Sequence, residues 1–139
     1  MKFKHELVEL DQLKAATADG KRFYETPEGD SYPSVTTITG LLSREGIQAW
    51  RLRVGEEVAN KITKAATTRG TKVHKLAEMY LRNELVLQTS LFEEQEPIIG
   101  EMFNQLSEEL DKHVGTIKAI EAPLYSNALR VGGTVDLVA

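Results

Sequence analysis

The chain has no cysteine. That excludes a disulfide framework and any thiolate metal site, and it agrees with a reducing, cytoplasmic setting, the compartment expected here. No apolar run approaches the roughly 20 residues needed to span a membrane. The opening Met1-Lys2-Phe3-Lys4-His5-Glu6 lacks the apolar core of a signal peptide, so no membrane partner is expected. Aromatics make up 6% of the chain and include one Trp. Trp50 therefore reads as a core anchor before it reads as a base-stacking platform. There are no internal repeats and no low-complexity tract. What is present, 139 residues at 41% hydrophobic and 27% charged, suits a single soluble domain with one core.

The net charge of −4 argues mildly against a nucleic-acid binder, but its distribution argues the other way. Residues 44–82 carry nine basic and four acidic side chains, whereas residues 83–121 carry two and nine. A local basic excess is the electrostatic footprint of phosphate binding. The plainer reading is a solvated helix face.

Taken in order, Lys21–Thr26 has β-type residues, Pro27-Glu28-Gly29-Asp30 is a turn by composition, and Ser31-Tyr32-Pro33 continues as a strand, which predicts a small hairpin. Ser34 is placed to cap a helix over residues 35–42. Residues 44–66 read as helix, with Ile47, Trp50, Leu52, Val54, Val58 and Ile62 as a buried stripe interrupted near Gly55. Residues 70–83 read as a separate helix opened by Thr71 as N-cap, with Val73, Leu76, Ala77, Tyr80 and Leu81 facing the core. Such a start would leave the first amides beside Gly70 free for a phosphate oxygen. Residues 84–96 are a polar connection. Pro97 then opens an amphipathic helix through Ile99, Met102, Phe103, Leu106 and Leu110, with an acidic outer face of Glu101, Glu108, Glu109 and Asp111. Residues 116–125 and 129–138 form a β-hairpin about Ser126-Asn127-Ala128, with Pro123 marking a bulge or an edge position.

Four residues carry candidate chemistry. Asp136 sits in the apolar run Val135-Asp136-Leu137-Val138. A run of this kind is expected to be buried in a sheet, where a carboxylate is costly unless paired or metal-bound. Alternation puts it on one face with Thr134 and Val138. An Arg-paired or turn-capping Asp explains the same residue equally well. His74 and Glu78, one helical turn apart, reach a common point beside the core stripe; a merely packed pair is the simpler account. Glu121 falls on the first strand of the hairpin, where alternation puts it on the face of Ala119 and Pro123, toward the cleft or toward a partner Arg, and it ranks below Asp136 as a supporting residue.

Together, Arg69-Gly70-Thr71-x-Val73-His74-x-x-x-Glu78, Gly133-Thr134-Val135-Asp136-Leu137-Val138, and Tyr32-Pro33-Ser34-Val35-Thr36-Thr37-Ile38 followed by Trp50 resemble the RecB-type nucleases of the PD-(D/E)xK superfamily. Within it, they are most similar to the phage and mitochondrial genome-maintenance exonuclease branch. The resemblance implies an α/β (α+β) restriction-endonuclease-like core, Mg²⁺ or Mn²⁺, and hydrolysis of DNA, single-stranded or at ends. It makes His74 and Asp136 metal ligands and Asp136 and Glu78 catalytic; read beside it from the residues themselves, Glu121 is a candidate supporting residue, and Arg69, Thr71, Lys72 and Lys75 at the helix start are candidate phosphate contacts. The single domain, 1–139, then divides at about 1–43 (hairpin and entry helix), 44–112 (helical part) and 115–139 (start of the catalytic sheet, incomplete at its C-terminal side). The family's Asp/Glu-x-Lys strand does not follow Ala139. The one such triplet, Asp19-Gly20-Lys21, reads as a turn. The expectation is therefore the N-terminal part of a DNA exonuclease, inactive as it stands. The alternative is a non-catalytic nucleic-acid-binding module of the same fold.

Overall fold

In a computed structural model that describes residues 2–84 and 96–139, the chain is mixed α/β and separates into two compact units. The first comprises Met1–Leu7, Glu57–Ile120 and Leu137–Ala139, and the second Val8–Glu56 and Glu121–Asp136. Among the described residues no helix is long and apolar enough to cross a membrane.

In the second unit, β2 (Lys14–Ala18), β3 (Lys21–Glu25) and β4 (Ser31–Pro33) form an antiparallel meander. The β3–β4 hairpin is the predicted one. The turn before it is made by Asp19 and Gly20, both at positive φ (51° and 72°), the pair that a tight two-residue hairpin turn demands. Asp19-Gly20-Lys21 is thus a turn, as its composition suggested. Strand β2 was not foreseen; its Lys-Ala-Ala-Thr-Ala sequence has little β preference and every residue in it is exposed.

Ser34 caps α1 (Val35–Val54), its Oγ accepting from the Thr36 amide at 3.3 Å. The helix runs without interruption across the division expected at 43/44. It stops at Gly55 (φ 90°), whose N–H donates to the Arg51 carbonyl. The expected stripe is not buried. Trp50 and Val54 are half-buried, while Ile47, Leu52, Val58 and Ile62 are exposed, Leu52 at 86%. α1 buries none of its residues, and the phase carried on to Val58 and Ile62 runs through Gly55, where the helix ends and a new one begins.

That new helix, α2 (Glu56–Leu81), is longer than predicted. Gly70 and Thr71 lie in its interior, so Thr71 is not an N-cap and no row of free amides opens there. A single interior Gly costs only about 1 kcal/mol, which a 26-residue helix with a packed face overrides. The core side is as read from the sequence: Val73, Leu76 and Leu81 are buried, Ala77 and Tyr80 partly so. The helix closes on Asn83 at φ 61°, with Glu84 N–H donating to the Met79 carbonyl, a left-handed cap that Asn tolerates.

Helix α3 (Pro97–His113) contributes Ile99 and Phe103 to a cluster with Val73 and Leu76. Met102 and Ile98 are exposed. Asp111 leaves the expected outer face and accepts a 2.7 Å hydrogen bond from the Tyr80 hydroxyl. A second cluster joins Phe3, Leu81, Ile117 and Ile120. Tyr80 links the two clusters, edge-on to Phe3 (5.3 Å) and to Phe103 (5.6 Å). Strand β1 (Lys4–His5) pairs in parallel with β5 (Thr116–Ile117), and Phe3 exchanges two hydrogen bonds with the Asn83 side chain.

Strands β6 (Ala119–Ser126) and β7 (Val131–Val138) pair as the expected C-terminal hairpin, with a turn over residues 127–130. In the second unit, β7 meets the start of α1 through a bridge between Ser34 and Gly132. Gly132 lies so close to Tyr24 that a Cβ there would stand 2.8 Å from Tyr24 Cβ. The Tyr24 hydroxyl reaches Thr134 Oγ1 at 2.9 Å, and the Tyr32 hydroxyl donates to Asn127 Oδ1 at 2.7 Å. These contacts seat the first half of β7, including the Gly133-Thr134 that leads to Asp136.

Candidate functional site

Glu121 departs most from what its sequence position requires. It lies inside β6 with φ of 47°, a left-handed conformation that costs a non-glycine residue on the order of 1–3 kcal/mol. In a regular strand, residues 119, 121 and 123 would share a face. The left-handed residue breaks that alternation, so Ala119, Ile120 and Ala122 are all buried and Glu121 is half-exposed. Pro123 follows two residues later, in agreement with the expected irregularity.

The backbone turn brings the Glu121 carboxylate to Asp136 on the neighbouring strand. One carboxylate oxygen of each lies within 4.8 Å of the other. Glu121 thus moves from a supporting position to direct partnership with Asp136. The basis for suspecting Asp136 also changes. It was expected to be buried, yet it is exposed, as are Thr134 and Val138 on the same face. Among the described residues, β7 has β6 as its ladder partner and a single bridge at Gly132.

His74 is exposed on α2 in the first unit, one turn before Glu78. Glu78 is held by two cations, Lys75 Nζ at 3.2 Å and Arg82 Nε at 3.1 Å. The hydrogen bond from Lys75, with that from Arg82, keeps the Glu78 carboxyl below its ordinary value against a partial burial that works the other way. A carboxylate so stabilised is a weak proton acceptor and serves better as a charge partner than as a base.

Of the four expected phosphate contacts, Arg69 and Lys72 line one cleft of the first unit. Lys75 is committed to Glu78, and Thr71 does not line the cleft. The cleft also contains Lys61 and Lys64, which sequence reasoning passed over. The signal was available: 61, 64, 68, 69 and 72 recur at three- and four-residue spacing and so share one helix face. Reading 44–66 and 70–83 as separate helices hid it.

Comparison with protein-family models, curated proteins and solved structures gives no match.

Proposed function

We propose that the chain carries part of a Mg²⁺- or Mn²⁺-dependent centre for hydrolysis of DNA phosphodiester bonds, on a core of the restriction-endonuclease type. It would act on single strands or ends in the cytoplasm, in the manner of the RecB-type nucleases that its motifs resemble. The observation that carries the reading is the Glu121–Asp136 carboxylate pair, assembled by a strained residue in the middle of a strand. The resemblance adds His74 as a further ligand. The two carboxylates supply the oxygen donors that a hard divalent cation takes. A bound cation of this kind polarises the phosphate and lowers the pKa of the attacking water. In the second unit the chain holds Asp136 and Glu121 within 4.8 Å of each other, and in the first it collects cations, Arg69 and Lys72 among them, on α2. Glu78 supports that helix by holding Lys75 and Arg82.

A second reading, a nucleic-acid-binding module without catalysis, is favoured by one observation. Lys61, Lys64, Arg69 and Lys72 line one face of α2, a set of cations that can hold a strand without any metal. Mn²⁺ binding followed by electron paramagnetic resonance, with cleavage of end-labelled single-stranded DNA in the same buffer, separates the two. The metal-centre reading expects Mn²⁺ binding that Asp136→Asn and Glu121→Gln each weaken. An affinity that neither substitution changes overturns it. Salt-sensitive DNA binding without Mn²⁺-dependent cleavage selects the binding module.

A further inference from the structure

The cleft on the first unit has a composition that the carboxylate pair does not explain. Its volume is about 550 Å³, within the range of small-ligand sites. One wall is a stripe of α2: Lys61, Lys64, Thr68, Arg69 and Lys72. The other is the start of α3: Pro97, Ile98 and Ile99, preceded by Glu96. Four cations therefore face one carboxylate, and that carboxylate is neutralised by an ion pair with Lys72. Lys61 has only a long contact with Glu57, 3.9 Å between two well-exposed groups. Among the described residues Lys64 and Arg69 have no ion pair at all. A solvated helix surface ordinarily interleaves signs at three- and four-residue spacing; this stripe keeps one sign for three turns.

Between the cations the surface is apolar. Ala65, Pro97 and Ile98 are presented to the opening, and Ile98 is a large exposed side chain at the first turn of α3. A simple anion would use the rim and leave that floor in water. A lipid chain would use the floor and leave three of the cations idle. A ligand with an anionic group joined to a flat ring uses both.

We infer that this cleft is a nucleotide subsite, with Lys64 and Arg69 holding the phosphate, Lys61 and Lys72 adding to the local field, and Ile98 and Ala65 packing against the sugar and base. Guanidinium forks and ammonium groups are the usual partners of phosphate oxygens. Apolar contact with a base face tolerates any sequence, because every base has one. The subsite deepens the nucleic-acid-binding part of the proposed function, on which it rests, but it stands on the first unit alone and requires no metal, so it survives or fails separately from the carboxylate centre.

The test is fluorescence anisotropy of a labelled oligo-dT in EDTA, with deoxyadenosine monophosphate, deoxyadenosine and inorganic phosphate as competitors. Deoxyadenosine monophosphate is expected to compete at least tenfold better than either inorganic phosphate or the nucleoside. Lys64→Glu with Arg69→Glu is expected to weaken binding at least tenfold and to flatten the salt dependence, since each lost phosphate contact removes about 0.7 from the logarithmic slope for a single strand. Lys112→Glu, on the exposed side of α3 beside Glu109, should change affinity less than twofold. Ile98→Asp should reduce the preference for the nucleotide over phosphate. If oligo-dT binds far more tightly than the mononucleotide, the ligand is a strand; if equally, a free nucleotide. Circular dichroism confirms that each variant is folded. Binding unchanged in the double variant, no binding by the wild type, or inorganic phosphate competing as well as the nucleotide overturns the subsite.

Discussion

Replacing Glu121 by glycine should make the protein more stable without metal and less responsive to metal. The left-handed backbone costs Glu121 about 1–3 kcal/mol. Glycine adopts it freely but loses about 0.5–1 kcal/mol through its more disordered unfolded chain. Two like charges no more than 4.8 Å apart repel by about 1 kcal/mol at the dielectric of water, less in salt. The net expectation in EDTA is a gain of about 1–2 kcal/mol, which raises the melting temperature by on the order of 5 °C for a chain of this size. Under saturating Mn²⁺ the order should invert. A ligand at a hundred times its dissociation constant stabilises the wild type by about 2.7 kcal/mol, and the variant, with one carboxylate of the pair removed, gains far less. Urea unfolding and thermal melts followed by circular dichroism, in EDTA and in MnCl₂, measure all four states. Glu121→Gln separates the two causes, because it keeps the strain and removes the charge. The reasoning fails if Glu121→Gly is less stable than wild type in EDTA, or if Mn²⁺ raises both proteins equally.

Other outcomes can be checked on the same samples. Gly132→Ala should cost about 1–3 kcal/mol by overpacking, read from the urea midpoint; because the nearest atom is Tyr24 Cβ, Tyr24→Ala should not restore the loss. Ser34→Ala should cost about 1 kcal/mol by removing the α1 cap, again from the urea midpoint. Burial and then the Asp111 hydrogen bond push the Tyr80 phenol up from 10.0 to about 12. The folded state therefore favours the protonated phenol, and that contribution is complete below pH 10 and lost as pH rises toward about 12; urea unfolding from pH 9 upward should show the decline, reduced in Tyr80→Phe. Glu78, held below 4.5 chiefly by the Lys75 hydrogen bond, should titrate below that value by carboxyl NMR and move up in Lys75→Ala. The stability it lends is present above pH 4.5 and lost as the pH falls through its depressed value.

Local chemistry was legible wherever a short stretch decides the outcome alone. Asp19-Gly20, Pro27–Asp30, Ser34 before Val35, and Pro97 at the head of α3 each act within a few residues, and each element forms where these signals place it. The apolar spacing of Val73, Leu76 and Leu81 was legible for the same reason. Features decided by longer reach were not. The 26 residues of α2 carry Gly70 and a Thr-Thr pair along, against local propensity. The parallel pairing of β1 with β5 joins segments more than 100 residues apart through two pairs of residues, too short for any periodicity to register. The left-handed turn at Glu121 has no local signature, since the residue is neither Gly nor Asn.

Asp136 is exposed, not buried as its apolar run leads one to expect. An exposed carboxylate on a strand is ordinary, and alone it would mean nothing. Its neighbour is what is unusual. A β-strand gains its stability from regular alternation and unstrained backbone, and β6 gives up both at Glu121. What that departure produces is a second negative charge beside the first, an arrangement that in water is itself unfavourable. Strain and repulsion together amount to about 2–4 kcal/mol, a sizeable part of the roughly 5–15 kcal/mol that holds a domain folded. Burial alone does not offset this cost, since the Glu121 side chain is half-exposed. Under the proposed function, a cation shared by the two carboxylates would reverse the sign of the repulsion and favour the strained geometry, so the pair, rather than either residue alone, is what a Mn²⁺ titration of Glu121→Gln and Asp136→Asn tests.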